Sequence, residues 1–307
     1  MFKVPILLVI YNRIEETHNV FEILGTVQPT QLYVAGDGCK PGNTLDRTHV
    51  YQTRAVIQPA WHCQLHTFWQ DDHLGKSRMI YKAIQWFFEQ EEEGIVLFED
   101  TLPTYDFFPY CEELLRQYRN DERVFSIGGT YLRHRSRQRY KKRLSKGGGS
   151  YYFSSYATTW GFATWRNRWQ DFSLSMAQYD NEKIADIVAR NMKNPKFRSY
   201  WTNRFNIIKK SNSPYWDYQI NLHVWAHDGI CIEPYLNLVT NIGVKKNAKR
   251  KLRRLRKNAY PIMPLTHPTE KEVNTKENNF IFRHIYKKAY VYLFRDWLKE
   301  ILPTKSE

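Results

Sequence analysis

Glycine-rich phosphate loops are missing from this chain. No Gly-x-Gly-x-x-Gly follows its first apolar run, and no Gly-x-x-x-x-Gly-Lys-Ser/Thr occurs among its 307 residues. Dinucleotide cofactors and P-loop chemistry are therefore disfavoured. Cysteine is scarce: Cys39, Cys63, Cys111 and Cys231 are widely separated, with no Cys-x-x-Cys. That spacing suits a reduced, cytosolic setting and neither a disulfide frame nor a zinc site. Long apolar runs are lacking too. The one starting at Val4 is too short for a membrane span and has no basic start or cleavage site, so it reads as a central strand. Neither zinc spacing, helix-turn-helix nor RNP pattern occurs, which makes nucleic acid a poor partner despite a basic balance.

What the chain does have is a series of apolar runs, each ending in polar residues. The first runs from Val4 into Tyr11-Asn12-Arg13, followed by Val20, Phe21 and Leu24 at helical spacing. QLYVAGDG (31–38) ends in Asp37-Gly38, with the turn formers Pro41-Gly42 beyond. A weaker run, CQLHTFW (63–69), ends near Asp71-Asp72, and Ile80, Ala83, Ile84, Phe87 and Phe88 mark the next helix. Gly94 to Phe98 then delivers Glu99 and Asp100 into a turn closed by Pro103. Strands alternating with helices predict a parallel sheet with right-handed crossovers. Polar strand ends converge on the carboxyl edge, where open α/β sheets bind ligands. Paired acids there can hold a divalent cation in oxygen ligands, and the cation a diphosphate. Acids also simply start loops, and the pair alone leaves both readings open.

In order, PILLVIYNR, AGDG, HLGKSR, FEDTLPTYDFF, YYFSSYATTWGFATW, WDYQ and NLVTNIG resemble a bacterial glycosyltransferase of the GT-A fold. The set is similar to family-2-like nucleotide-sugar transferases of surface-polysaccharide gene clusters. More distantly it resembles the metal-dependent N-acetylglucosaminyltransferase I family. The likeness covers roughly residues 4–268 and is more specific as an ordered set than in any one motif. It implies an α/β fold: a mostly parallel central sheet flanked by helices, with a C-terminal helical extension. Tyr11, Asn12 and Arg13 would then lie along the donor nucleoside, and Asp37 would receive a base N–H. Lys76 would approach phosphate or ribose, Glu99 would face ribose or sugar, and Asp100 would hold Mn2+ or Mg2+. Phe98 stands where the family has its first acid, Glu99 is longer than the usual Asp, and His73 replaces a frequent Asn.

Further along, Asp217 is bracketed by Trp216 and Tyr218. Aromatic surroundings raise a carboxylate's pKa towards the range of a general base, the role the resemblance gives it. The competing reading is a cap on a helix beginning at Tyr218. Residues 150–169 are dense in aromatics; Trp160, Gly161 and Phe162 are expected near the donor sugar and Trp165 in the core. His267 is expected to pack.

Charge is unevenly placed. The net value is +15, from 46 basic and 31 acidic residues, yet 131–146 holds eight basic residues and 244–257 nine, with no acid in either. Elsewhere 29 basic residues face 31 acidic ones. Solvated surface is the plain reading of both runs; for 244–257 the resemblance implies a lid over the donor. Residues 279–302 place aromatic and aliphatic residues amid Arg and Lys, which suits either docking on the domain or lying on an anionic membrane surface.

The expected organisation is a catalytic domain over 1–268, with a nucleotide half (1–128) and an acceptor half (150–268), then a helical extension over 269–307. The expected activity is metal-dependent, inverting transfer of a hexosyl or N-acetylhexosaminyl group. Its donor would be a nucleotide sugar, with uridine the commonest base, and its acceptor a glycan or lipid-linked hydroxyl. The expected place is the cytoplasm, either free or peripherally on the membrane's inner face. Two alternatives stand beside it: a catalytically silent nucleotide-sugar binder, suggested by Phe98, and a basic nucleic-acid or membrane adaptor.

Overall fold

The computed structural model describes residues 1–131, 133, 137–211, 214–243 and 261–286. Its first four strands are the four apolar runs: β1 (Ile6–Ile10), β2 (Gln31–Gly36), β3 (Gln64–Trp69) and β4 (Glu93–Phe98). Between them lie α1 (Ile14–Val27), α2 (Thr44–Ala55) and α3 (Lys76–Gln90). Then come β5 (Thr101–Pro103), α4 (Phe107–Tyr118), β6 (Val124–Gly128), α5 (Arg137–Leu144), β7 (Tyr151–Ser154), β8 (Phe162–Trp165) and α6 (Arg166–Trp169). Helices α7 (Asn181–Asn191), α8 (Pro195–Ser211) and α9 (Trp216–Ala226) precede β9 (Ile230–Pro234) and β10 (Val239–Asn241). The last described helix, α10 (Thr275–Ile281), runs into a π-helical turn over Phe282–Tyr286.

Eight strands form one sheet in the order β3-β2-β1-β4-β8-β6-β9-β7. β1 pairs in parallel with β2 and β4, and β2 with β3, as the alternation of strands and helices predicts. Parallel pairing needs a crossover, which α1, α2 and α3 supply. The other half is mixed: β8 runs antiparallel to both β4 and β6, and β7 antiparallel to β9. A two-stranded ribbon, β5 with β10, sits beside the end of β4.

Burial explains the uninterrupted apolar strands. Ile6, Leu8 and Ile10 face one core layer, with Val20, Phe21 and Leu24 of α1 and Phe107 to Leu115 of α4. Leu7, Val9, Val96 and Phe98 face the other, with α3, α8 and α9. A strand covered on both faces loses the polar alternation that a half-exposed strand keeps. The second layer is aromatic: Tyr156, Trp201, Phe205 and Trp225 are all buried and in ring contact. Ile281, Phe282 and Tyr286 dock into this layer, Phe282 stacked on Phe197 with centroids 3.7 Å apart. The start of the 279–302 segment thus packs on the domain; 287–302 lies outside the described residues. Among the described residues no helix is long and apolar enough to cross a membrane. His267, exposed, contacts the Tyr151 hydroxyl (3.0 Å) and Glu113 (3.1 Å).

Glu233, on β9, is fully enclosed and accepts from the Thr158 N–H (3.1 Å) and hydroxyl (2.7 Å). Burial pushes its pKa from 4.5 to about 8. The folded protein therefore keeps a proton that the unfolded chain releases near pH 4.5. Stability is lost as pH rises from there through about 8, by about 1 kcal/mol per pH unit. Glu233→Gln removes the titration, so thermal unfolding followed from pH 5 to 8 should show a flatter decline in Tm than the parent. Parallel declines would place the ionised carboxylate in the core.

Candidate active site

Parallel register sets the site. Ile10 lies beside Gly36 and Val9 beside Phe98, so the residues that follow each strand emerge on one edge. Tyr11, Asn12, Arg13, Asp37, Lys76, Glu99 and Asp100 all line one cleft there, of about 700 Å³. Asp217, Tyr215 and Trp216 at the start of α9, with Trp160, form its other wall. Strand-edge acids and Asp217 thus share a single cavity.

A second acid, not singled out in the sequence, holds the first loop. Asp46 is buried on α2 and takes hydrogen bonds from the Tyr11 hydroxyl (2.6 Å), Asn12 Nδ2 (2.7 Å) and the Lys40 N–H (2.7 Å). Burial favours its neutral form, but these donors outweigh it and hold its pKa below the usual value. The helix's own cap was a signal: Asn43 accepts from the Asp46 N–H at 2.9 Å, three residues on. Tyr11 and Asn12 are therefore anchored through their polar ends, which leaves the Tyr11 ring, against His73, as cleft wall.

Asp37 is 3% exposed and has a different occupation from the one expected. Its Oδ1 accepts the N–H groups of Gly38 (3.0 Å) and Leu74 (2.8 Å). Its Oδ2 accepts the Gly75 N–H (2.9 Å) and faces His73 Nδ1 (3.0 Å). Three backbone N–H groups thus occupy most of its four lone-pair positions, and His73 Nδ1, also within 3.0 Å of the Gly38 carbonyl, stands at the remaining one. Asp37 fastens the end of β2 to the turn before α3; a base N–H would have to displace one of these donors.

Glu99 and Asp100 differ in kind. Glu99 is buried, and its Oε2 accepts the Tyr11 N–H at 2.6 Å and the Arg13 N–H at 3.4 Å. Burial pushes its pKa up to about 7, against the pull of those donors and the Arg13 charge. Asp100 is engaged by Arg13 Nη1 at 2.7 Å from Oδ2. Asp100 and Glu99 leave few protein ligands for the divalent cation expected on Asp100. One Asp100 oxygen carries a guanidinium, Glu99 is occupied by backbone, and no third acid or imidazole joins them: among the described residues no cluster of three His, Cys, Asp or Glu could hold a metal. A cation there would keep mainly Asp100 Oδ1 as its protein ligand and would take the rest of its oxygen shell from diphosphate and water. Phe98 is buried against Trp216, ring centroids 5.8 Å apart, and forms cleft floor.

The opposite wall places Asp217 in the first turn of α9, which begins at Trp216 and is preceded by Tyr215 with no side-chain cap. A cap on a helix starting at Tyr218 is thus not what Asp217 provides. Its side chain is open to cleft solvent yet crowded by protein on the remaining sides. That crowding raises its pKa, while Lys76 and nearby backbone N–H groups oppose the rise. The aromatic loop divides differently from expectation. Trp160 is 41% exposed and lines the cleft with Thr159. Phe162, however, is buried on β8, tilted against Trp216 in the core layer. Gly161, at φ +84°, packs near Val239 and Leu97, so its freedom serves the turn and not a ligand. Trp165 is core. Lys40, Tyr215 and Asn241 also line the cleft and were not among the predicted residues. The predicted lid, 244–257, lies outside the described residues, and so does part of the basic run 131–146.

No family model and no curated protein matches the chain in sequence. Solved structures match it at low similarity. A mannosyltransferase from Pyrobaculum calidifontis, in complex with GDP-Man and Mn2+, is 11% identical at a TM-score of 0.35, covering 97% of this chain and 84% of that one. The glycosyltransferase GlyE of Streptococcus pneumoniae is 13% identical at 0.36, covering 100% and 66%. Mouse xyloside xylosyltransferase 1, in its apo form, is 8% identical at 0.33, covering 74% and 82%. Scores this low assign no residue, and the chemistry rests on this chain's own side chains.

Asp37→Asn tests the fastener. The amide would turn an NH2 towards donors that now have an acceptor, so urea unfolding should show a loss of about 1–3 kcal/mol. An unchanged midpoint would mean that the turn before α3 does not depend on this carboxylate.

Proposed function

We propose that the chain transfers a sugar from a nucleoside-diphosphate donor to an acceptor hydroxyl, with inversion at the anomeric carbon. The observation that carries this reading is the placement of Asp217 across one cleft from Arg13, Glu99 and Asp100. A donor spanning that cleft would keep its nucleoside along the ends of β1 and β2, against the Tyr11 ring, and its sugar beside Trp160 and Trp216. Carbohydrate C–H faces stack on such rings, and the exposed Trp160 suits sugar or acceptor. The acceptor is then a glycan or lipid-linked hydroxyl arriving from the α9 side.

The step is a single displacement. Asp217, ionised, takes the proton from the acceptor hydroxyl; that oxygen forms a bond to the anomeric carbon as the bond to the diphosphate oxygen breaks, and the nucleoside diphosphate leaves with the electron pair. Lys76 beside Asp217 keeps part of the base ionised despite its crowding. Cationic side chains at the cleft, Arg13, Lys40 and Lys76, stabilise the leaving charge. Glu99 helps set the conformation of the Tyr11–Arg13 loop by accepting its N–H groups. Hexosyl or N-acetylhexosaminyl identity would be decided around Trp160, Thr159 and Tyr215.

Asp217→Asn should lower kcat by about 10²–10⁴ with donor affinity little changed, measured with a nucleotide-sugar panel and calorimetry. In the parent, kcat/KM should fall on the acid side with an inflection above the ordinary carboxylate value, because the raised pKa leaves less base ionised. Proton NMR of the first-formed product should show inverted configuration. Retention, or full activity in Asp217→Asn, would remove Asp217 as base.

A further inference from the structure

We propose that Arg13 takes, within this chain, the place that a divalent cation would take between carboxylate and diphosphate, so that nucleoside diphosphates bind without metal. The inference rests on the transferase reading above. Its starting point is that the acidic strand end already holds a cation, the Arg13 guanidinium. The Arg13 guanidinium lies 2.7 Å from Asp100 Oδ2 through Nη1 and 3.6 Å from Glu99 Oε1 through Nε. A metal bonded to Oδ2 at roughly 2.0–2.6 Å would have to expel this guanidinium or sit against a like charge.

The seat of the guanidinium is built from several elements. The Arg13 N–H also donates to Glu99, so backbone and side chain meet the same acid pair. From the other side, the Ile242 N–H donates to the Asp100 carbonyl at 2.7 Å. Gly243 follows directly, and a Cβ there would overlap the guanidinium and crowd Asp100. A glycine at this position is what lets the end of β10 close over the ion pair. These contacts come from β1, β4 and β10, three elements meeting on one cation.

What remains of Arg13 faces ligand space. The side chain is 40% exposed and lines the cleft, and its Nη2 has no partner among the described residues. A guanidinium keeps its charge at any working pH and offers planar N–H pairs that match phosphate oxygens. Anchored by carboxylates on one edge and free on the other, it bridges acid to diphosphate in the same sense as a metal. Lys40 and Lys76 on the same cleft add the further charge that a diphosphate requires.

The test is calorimetric titration of the full chain with UDP, GDP and the corresponding nucleosides, in EDTA and in Mn2+. The expected result is diphosphate affinity in EDTA within about threefold of that in Mn2+. Arg13→Met should weaken diphosphate binding by about tenfold or more in both buffers and leave nucleoside binding unchanged. Arg13→Lys, which keeps the charge without the fork, should fall between, and it serves as the reading should the methionine variant not fold. Binding that vanishes in EDTA and returns with Mn2+ would overturn the proposal, as would parent-like affinity in both variants. Failure of every diphosphate to bind in either buffer would end the transferase reading, and this inference with it.

Discussion

Crowding carboxylates onto one sheet edge is the constraint around which this cleft is built. Parallel pairing of β1, β2 and β4 forces their ends together, and three of the acids emerge there. Each is managed by a different physical means. Asp37 is satisfied by backbone N–H groups and His73, Asp46 by hydroxyl and amide donors, and Asp100 by a guanidinium. Glu99 is pushed by burial towards its neutral form. Of these five acids Asp217 is the exposed one, crowded by protein on its other sides, with Lys76 and backbone N–H groups favouring its charged form. The difference in environment separates Asp217 from the other four acids, since surroundings and not residue type set carboxylate behaviour.

The same division organises the fold behind the cleft. One core layer, aliphatic near β1 and α1, supports the loops after β1 and β4; the other, aromatic, supports α9. Phe98 and Trp216 join the two walls, since one ends β4 and the other begins the helix that carries Asp217. Phe98 thus gives the cleft an apolar floor packed on Trp216. Glu233 plays a related part further in, tying β9 to the loop that presents Thr159 and Trp160.

Strand positions and the convergence of their ends were legible because apolar runs covered on both faces leave an unmistakable pattern, and parallel register does the rest. The sequence singled out Asp217 through its aromatic neighbours and the resemblance, and the structure puts it on the cleft. Less was visible where side-chain partners decide the role. Asp37 looks the same in sequence whether it meets a base or three backbone N–H groups, and the Arg13–Asp100 pair spans 87 residues. Asp46 was hidden in a polar helix whose cap is its only local mark. Phe162 was misplaced because the turn at Gly161 resets which face of the next strand looks inward, and a two-residue period says nothing about its own phase after such a turn. Antiparallel β8 escaped notice for the same reason.

The central claim is that a nucleoside diphosphate-sugar lies between Arg13 and Asp217. A crystal structure of the full chain soaked with UDP-glucose in the presence of EDTA tests it most directly. The account predicts diphosphate oxygens within hydrogen-bonding distance of the Arg13 guanidinium and an anomeric carbon open to Asp217. Density for the nucleotide outside this cleft, or an anomeric carbon turned away from Asp217, would contradict it.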